Sequence, residues 1–264
     1  MKRITQSILL LAIGLGTIAL VANGTYKNYL RPHMGAILLI AGSILAMLGL
    51  SLLLSSVRHG RPRKLQHKVA TDDGGGHDHA GPASAWLLLV PFVVIALITP
   101  ASLGSFAAAR GSQQSTFDGR PETVNPESVA RDESGEFTPL AAPRAGAVDL
   151  TLLDFNERAN WDSAGSLNDT RVRLTGFVTP APAGTEADFY LTRFVITCCA
   201  ADGSPIHVAV ADFPDDSLPA DTWIEIEGKL RESQTPPDPV SPTPATITVD
   251  DYKTVEPPAE PYEY

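Results

Sequence analysis

Only two of the 264 residues are cysteine, and they are adjacent, Cys198 and Cys199. No C-x-x-C spacing occurs, so the usual sequence signs of a structural zinc site or a thioredoxin-like redox motif are missing. The chain also has no nucleophile elbow, no phosphate-binding glycine loop and no paired carboxylates at motif spacing. Enzymatic activity therefore has no positive support, and the expectation is a non-enzyme. Basic residues are scarce after Leu103, where eleven Lys/Arg stand against twenty-seven Asp/Glu. Phosphate binding needs cations that displace counterions. A nucleic-acid partner is therefore not expected.

Up to Leu103 the balance reverses, with nine basic and three acidic residues. A basic part followed by an acidic part indicates two environments, membrane and solvent. The basic part contains three apolar stretches, at about 5–23, 35–57 and 86–104, and the second and third carry no charge inside them. About 20 apolar residues in a helix cross a bilayer core of about 30 Å. All three are read as transmembrane helices. The first has an alternative as a cleaved signal peptide, because Lys2 and Arg3 precede a short apolar core. Pro91 and Pro100 would bend the third span. Small residues Gly35, Gly42, Ser43, Ala46 and Gly49 recur along the second and would let another helix approach closely.

Orientation follows the flanking cations. Lys2 and Arg3 precede the first span, and Arg58, Arg61, Arg63, Lys64 and Lys68 follow the second. The positive-inside rule keeps the N-terminus and the 58–85 loop in the cytoplasm. The short loop at 22–34 and everything after Gly104 are then extracytoplasmic, in a multi-pass cell-membrane protein. The thiols would lie where they can oxidise.

The fold class is thus membrane α plus soluble all-β. Residues 1–104 are a membrane domain. Residues 105–147, rich in Gly, Ser, Pro, Glu and Ala, are a flexible linker. Residues 148–264 are an extracytoplasmic β domain. It opens with a short amphipathic helix in VDLTLLDFNERANW, with Leu150, Leu153, Phe155 and Trp161 near one face and Asp149 as a candidate cap. Strands follow at 171–179, 188–198, 205–211, 221–230 and 245–255. Five strands in about 85 residues are buried economically by a small OB-like β-barrel, closed or partly open. A fragment of a β-sandwich is the rival.

Successive residues of a strand point to opposite faces. Cys198 and Cys199 can share a ligand or a disulfide only if the strand ends or bulges there, and Ala200–Gly203 supplies a turn. Three readings stay open. One is a vicinal disulfide, and another a core cysteine beside an incidental one. The third is a metal site of Cys198 and Cys199 with Asp202 or His207, for which Zn(II) or Cu(I) is the candidate ion. His77 and His79, in GGGHDHAG, are second metal candidates, with a plain solvated loop as the alternative. His33 reads as interfacial and His207 as structural.

The segments RPHM, LTGFV, FYLTRFVITCCAADGSP and DTWIEIEGKL together resemble the YcgQ-like family. These are bacterial membrane proteins with a C-terminal domain of unknown function. The resemblance implies one half of a two-component permease: a non-enzymatic transport subunit beside a separate multi-span permease protein. It also implies a link to metal-ion, particularly zinc, physiology. The family segment falls on Arg193, Cys198, Cys199 and Asp202. The alternative function is an extracytoplasmic metal- or thiol-handling protein that works through Cys198 and Cys199 without a channel. Redox catalysis by the dithiol is a third reading.

Overall fold

A computed structural model describes residues 2–58, 90, 94, 101–114, 136–215, 218–231 and 243–264. It divides into two folded units, 1–26 with 32–100, and 27–31 with 101–264.

In the first unit, α1 (Lys2–Ala22) and α2 (Met34–Arg58) are long and apolar enough to cross a membrane. At 1.5 Å per residue they measure about 31 and 37 Å, against a bilayer core of about 30 Å. They pack as an antiparallel pair. Gly14 of α1 meets Gly42 and Ala46, whereas Ser7 and Leu11, a turn or two earlier, meet Gly49. A Cβ added at Gly14 would lie 2.6 Å from the Ala46 nitrogen and 2.7 Å from the Gly42 carbonyl. Gly42, Ala46 and Gly49 of α2 are thus occupied by α1, whereas Gly35 meets Tyr26. Ile37, Ile40, Met47 and Leu54 of α2 are exposed.

The expected third span lies outside the described residues apart from Val90, Val94 and 101–104. Residues 101–104 are not helical, so a helix would end before them. Leu103 instead packs with buried aromatics, and its N–H donates to the Tyr262 hydroxyl at 3.0 Å.

The second unit begins earlier than composition implies. Ser105–Gln114, in the expected linker, forms helix α3, and Ala108 on it is buried. Residues 136–147 are also packed: Leu140 lies against the core, and Ala147 is buried. These segments carry few apolar residues, so periodicity does not reveal them. Their packing comes from partners distant in sequence.

Seven strands follow: β1 (Val148–Asp149), β2 (Arg171–Pro180), β3 (Phe189–Val195), β4 (Ser204–Ala211), β5 (Trp223–Arg231), β6 (Thr246–Thr254) and β7 (Tyr262–Glu263). Helix α4 (Leu152–Trp161) lies between β1 and β2. Its cap is Thr151, whose hydroxyl accepts the Asp154 N–H at 3.0 Å. Asp149 is not the cap: it sits in β1 and pairs with Arg173 at 2.7 Å. The buried face is Leu152, Leu153 and Phe155, and Trp161 stays exposed. The later cap leaves Leu150 outside the helix, although it still packs against the core.

Strands β2, β3, β4, β6 and β5 pair in a circuit. β2 runs antiparallel to β3 and β5, β3 to β4 and β5 to β6, and β4 is parallel to β6. Each therefore has two partners, and no edge among the five is left unpaired. A register shift at Glu227/Gly228 bends β5, where a side chain on Gly228 would collide with the Thr248 backbone. Val172, Leu174, Leu191, Val208, Val210, Ile224, Ile226 and Ile247 face a common core that includes Leu152 and Phe155 of α4. Alternation in the strands put these residues on one face, as the period of two requires.

The opposite face of the sheet is not all solvated. Phe177, Phe194, Ile196, Trp223 and Tyr262 form a second apolar cluster with Ala108 of α3. β7 lies parallel to β3 here, with Phe194 opposite Tyr262 and Val195 opposite Glu263.

Candidate functional site: the thiol loop

β3 ends at Val195, and the chain bends through Thr197–Cys199 into a single 3₁₀ turn, Ala200–Asp202. The strand alternation that would have separated the two cysteines therefore stops before them. Their sulfurs lie 3.6 Å apart and are not bonded; both cysteines are free thiols. Cys198 is exposed and Cys199 half-buried.

Asp202 organises the loop. Its Oδ1 accepts the Thr197 N–H at 2.8 Å. Its Oδ2 accepts the N–H groups of Cys198 at 2.9 Å and Cys199 at 3.2 Å. The Cys198 thiol donates to the same Oδ2 at 2.9 Å. Burial works against the Asp202 charge, but the thiol and the three N–H donors outweigh it and hold the carboxyl below its ordinary range. The converse falls on Cys198. Its hydrogen bonds to Asp202 and Cys199, and the charge of Asp202, push the thiol up to about 12. At neutral pH Cys198 is an uncharged thiol tied to an ionised carboxylate. A nucleophilic thiolate is the opposite state, so the geometry does not favour redox catalysis through Cys198.

The donor atoms of Cys198, Cys199 and Asp202 all lie within 4.8 Å of one another. Two sulfurs bound to one tetrahedral Zn(II) at about 2.3 Å would be about 3.7 Å apart. The observed 3.6 Å fits that edge. A linear two-sulfur ion would need them about 4.4 Å or more apart. The set is two soft donors and one hard donor, with one tetrahedral position left open.

Arg193 does not join this cluster. On β3 it reaches toward the C-terminal segment, donating to the carbonyls of Glu260 at 2.6 Å, Pro261 at 3.3 Å and Tyr262 at 3.4 Å, and it lies over the Trp223 ring. Its role here is to hold β7 against β3. His207 does not join it either. Its Nδ1 lies 2.8 Å from the Thr192 hydroxyl, which bonds that of Thr179 at 2.7 Å. Burial pulls His207 down to about 4, so it is neutral and structural. His77 and His79 lie outside the described residues.

Two neighbours of the site carried no sequence signal. The first is the Lys27–Arg31 loop. Its Tyr29 carbonyl accepts the Ala200 N–H at 2.7 Å, its Arg31 N–H donates to the Cys198 carbonyl at 3.2 Å, and Leu30 bridges Cys199. Backbone pairing of this kind has no residue-type signature. The second is Glu263, fully buried, whose two carboxylate oxygens accept the Leu152 and Leu153 N–H groups at 2.8 and 3.0 Å. It reaches the first turn of α4 from β7, a two-residue strand beside Pro261 that strand patterning does not register.

Residues 162–264 match the DUF1980 C-terminal domain. The match contains β2 to β7 and the whole thiol loop, and leaves α1, α2, α3, β1 and α4 outside it. No curated protein and no solved structure matches the chain. The thiol loop lies inside the matched residues, and its chemistry is read from Cys198, Cys199 and Asp202 themselves.

Proposed function

We propose that this chain is a non-enzymatic membrane subunit that captures a thiophilic divalent cation, of the zinc class, on an extracytoplasmic DUF1980 C-terminal domain. The observation that carries this reading is the convergence of Cys198, Cys199 and Asp202 within 4.8 Å on a turn that breaks a strand. Zinc bound there would be held by two thiolates and a carboxylate, leaving one position for an exchangeable ligand. An exposed, three-donor site suits passing an ion on better than locking it into the fold.

The circuit of five strands supports an OB-like barrel over a sandwich fragment, because a sandwich would leave edges unpaired. The resemblance to YcgQ-like proteins supports a separate multi-span permease as the partner that takes the ion across the membrane. The sidedness has its own support. The 27–31 loop folds with residues 101–264, so both belong on one side of the membrane. α2 leaves that side between them, and the chain has to return before Ala101. The uncharged stretch beginning at Trp86 is the sequence able to do so.

The test is a chelator-competition titration of the full-length protein in detergent with Zn(II). One equivalent is expected, lost in Cys198→Ser/Cys199→Ser and kept in His77→Ala/His79→Ala. Affinity should fall about tenfold per pH unit for each proton released, because Cys198 holds its proton until a metal displaces it. Binding that survives loss of both cysteines sinks the assignment.

A further inference from the structure

We infer that the Lys27–Arg31 loop is a working part of the thiol site, so that the state of the thiols and the α1–α2 hairpin are linked. This deepens the reading above by naming how the site is regulated, and it rests on that reading for the thiols being the working centre.

Three backbone contacts fasten the loop to residues 198–200: the Tyr29 carbonyl to Ala200, Arg31 to the Cys198 carbonyl, and the Leu30–Cys199 bridge. They address each residue of the pair and the start of the turn that carries Asp202. Side chains fix the same loop to the C-terminal segment. Lys27 pairs with Glu260 at 2.7 Å, the Tyr262 hydroxyl donates to the Asn28 carbonyl at 2.8 Å, and the Arg31 guanidinium stacks on Tyr264 at 5.2 Å. β7 in turn pairs with β3, the strand that runs into the thiols. The 198–200 backbone is thus held from outside the β circuit by a loop whose ends run directly into α1 and α2.

Within the loop itself Asp202 supplies the side-chain bonds, to Thr197, Cys198 and Cys199. Among the described residues Cys198 is exposed and its backbone is tied inside the loop by Asp202 alone. Any shift of α1 against α2 that moves residues 27–31 must break or carry these contacts. By linkage, anything that rearranges Cys198 and Cys199 must act back on the loop with the same coupling free energy. An ion arriving at the thiols would be sensed at the membrane hairpin, and a partner that moves the hairpin would load or release the site.

The test measures the alkylation rate of Cys198 and Cys199 by iodoacetamide in the full-length protein in detergent, with no metal added. This keeps it separate from zinc binding, which can fail while the coupling holds. Arg31→Pro removes the donor to Cys198. Ala200→Pro removes the donor to Tyr29 and puts proline at the first position of a turn, where it is tolerated. Each should raise the rate about fivefold, the size of one net backbone hydrogen bond. Arg31→Ala keeps the backbone donor and loses only the stacking on Tyr264, so it should raise the rate less than Arg31→Pro does. Wild-type rates in both proline variants, or an equal rise in Arg31→Ala, would overturn the inference.

Discussion

The Cys198 proton is shared with a carboxylate that already accepts three backbone N–H groups. A group whose folded pKa is raised is stabilised in its protonated form. The contribution of the Cys198–Asp202 contact is therefore fully present below the ordinary thiol value of 9.0 and is lost as pH climbs toward about 12. Asp202, held low, has the opposite window: its contribution is present above the ordinary carboxyl value of 3.8 and disappears as pH falls below it. Between these limits the loop keeps one neutral thiol and one anion. Asp202→Asn removes the charge that holds the proton while keeping an amide oxygen for the loop N–H groups. Cys198 should then titrate near its ordinary value, and alkylation at pH 8 should quicken about ten- to a hundredfold, the gain in thiolate being partly offset by its lower nucleophilicity. A pH–rate profile that does not move toward lower pH would show that Asp202 does not govern the thiol. The need for the strand to stop before the cysteines was legible in the sequence, because two adjacent strand residues cannot share a ligand. His207 reads as structural from its apolar neighbours, but the role of Arg193 was not legible, since its partners are carbonyls brought near only by the fold.

Among the elements, the five long strands were readable because each combines alternation with β-branched or aromatic residues, and each has a buried face in the structure. The short elements were not, because β1 and β7 have two residues each and draw their stability from a neighbour. β7 shows how much such an element can carry. Glu263 places a fully buried carboxylate on the first N–H groups of α4, where unpaired donors and the helix dipole favour an anion. Burial raises its pKa against the pull of Arg193 and those two N–H groups. Glu263→Ala leaves both N–H donors unsatisfied and removes the carboxylate beside Arg193, which keeps its carbonyl partners, and should cost about 2–4 kcal/mol in urea unfolding. Glu263→Gln, which retains one acceptor, should cost less. An alanine variant as stable as wild type would refute the capping role. The hairpin gives a parallel case. Gly14 sits on the backbone of α2, so Gly14→Leu should separate the helices and lower the thermal transition in detergent, whereas Ile40→Leu on the exposed face should not. Equal transitions would mean that the small residues do not set the packing.

For the whole molecule the decisive constraint is connectivity. Residues 27–31 fold with residues 101–264, although α2 and a basic loop separate them in sequence. Under the proposed membrane reading, charge alone gives the direction of the spans, with Arg58 and the cations after it on the cytoplasmic side. On the same reading the shared unit adds a parity condition: the chain would cross an even number of times between Arg31 and Ala101. Together they would put the thiol loop, the acidic β domain and the 27–31 loop outside, and Lys64 inside. Accessibility can read both conditions at once. In a Cys198→Ser/Cys199→Ser background, Thr185→Cys occupies an exposed turn of the β domain, and Lys64→Cys lies in the basic loop. A membrane-impermeant maleimide should label Thr185→Cys in intact spheroplasts and Lys64→Cys only after lysis. Labelling of both before lysis would remove the crossing between them, and the reverse pattern would invert the orientation. With the reversed pattern the thiols would lose the compartment that makes capture of an external cation sensible.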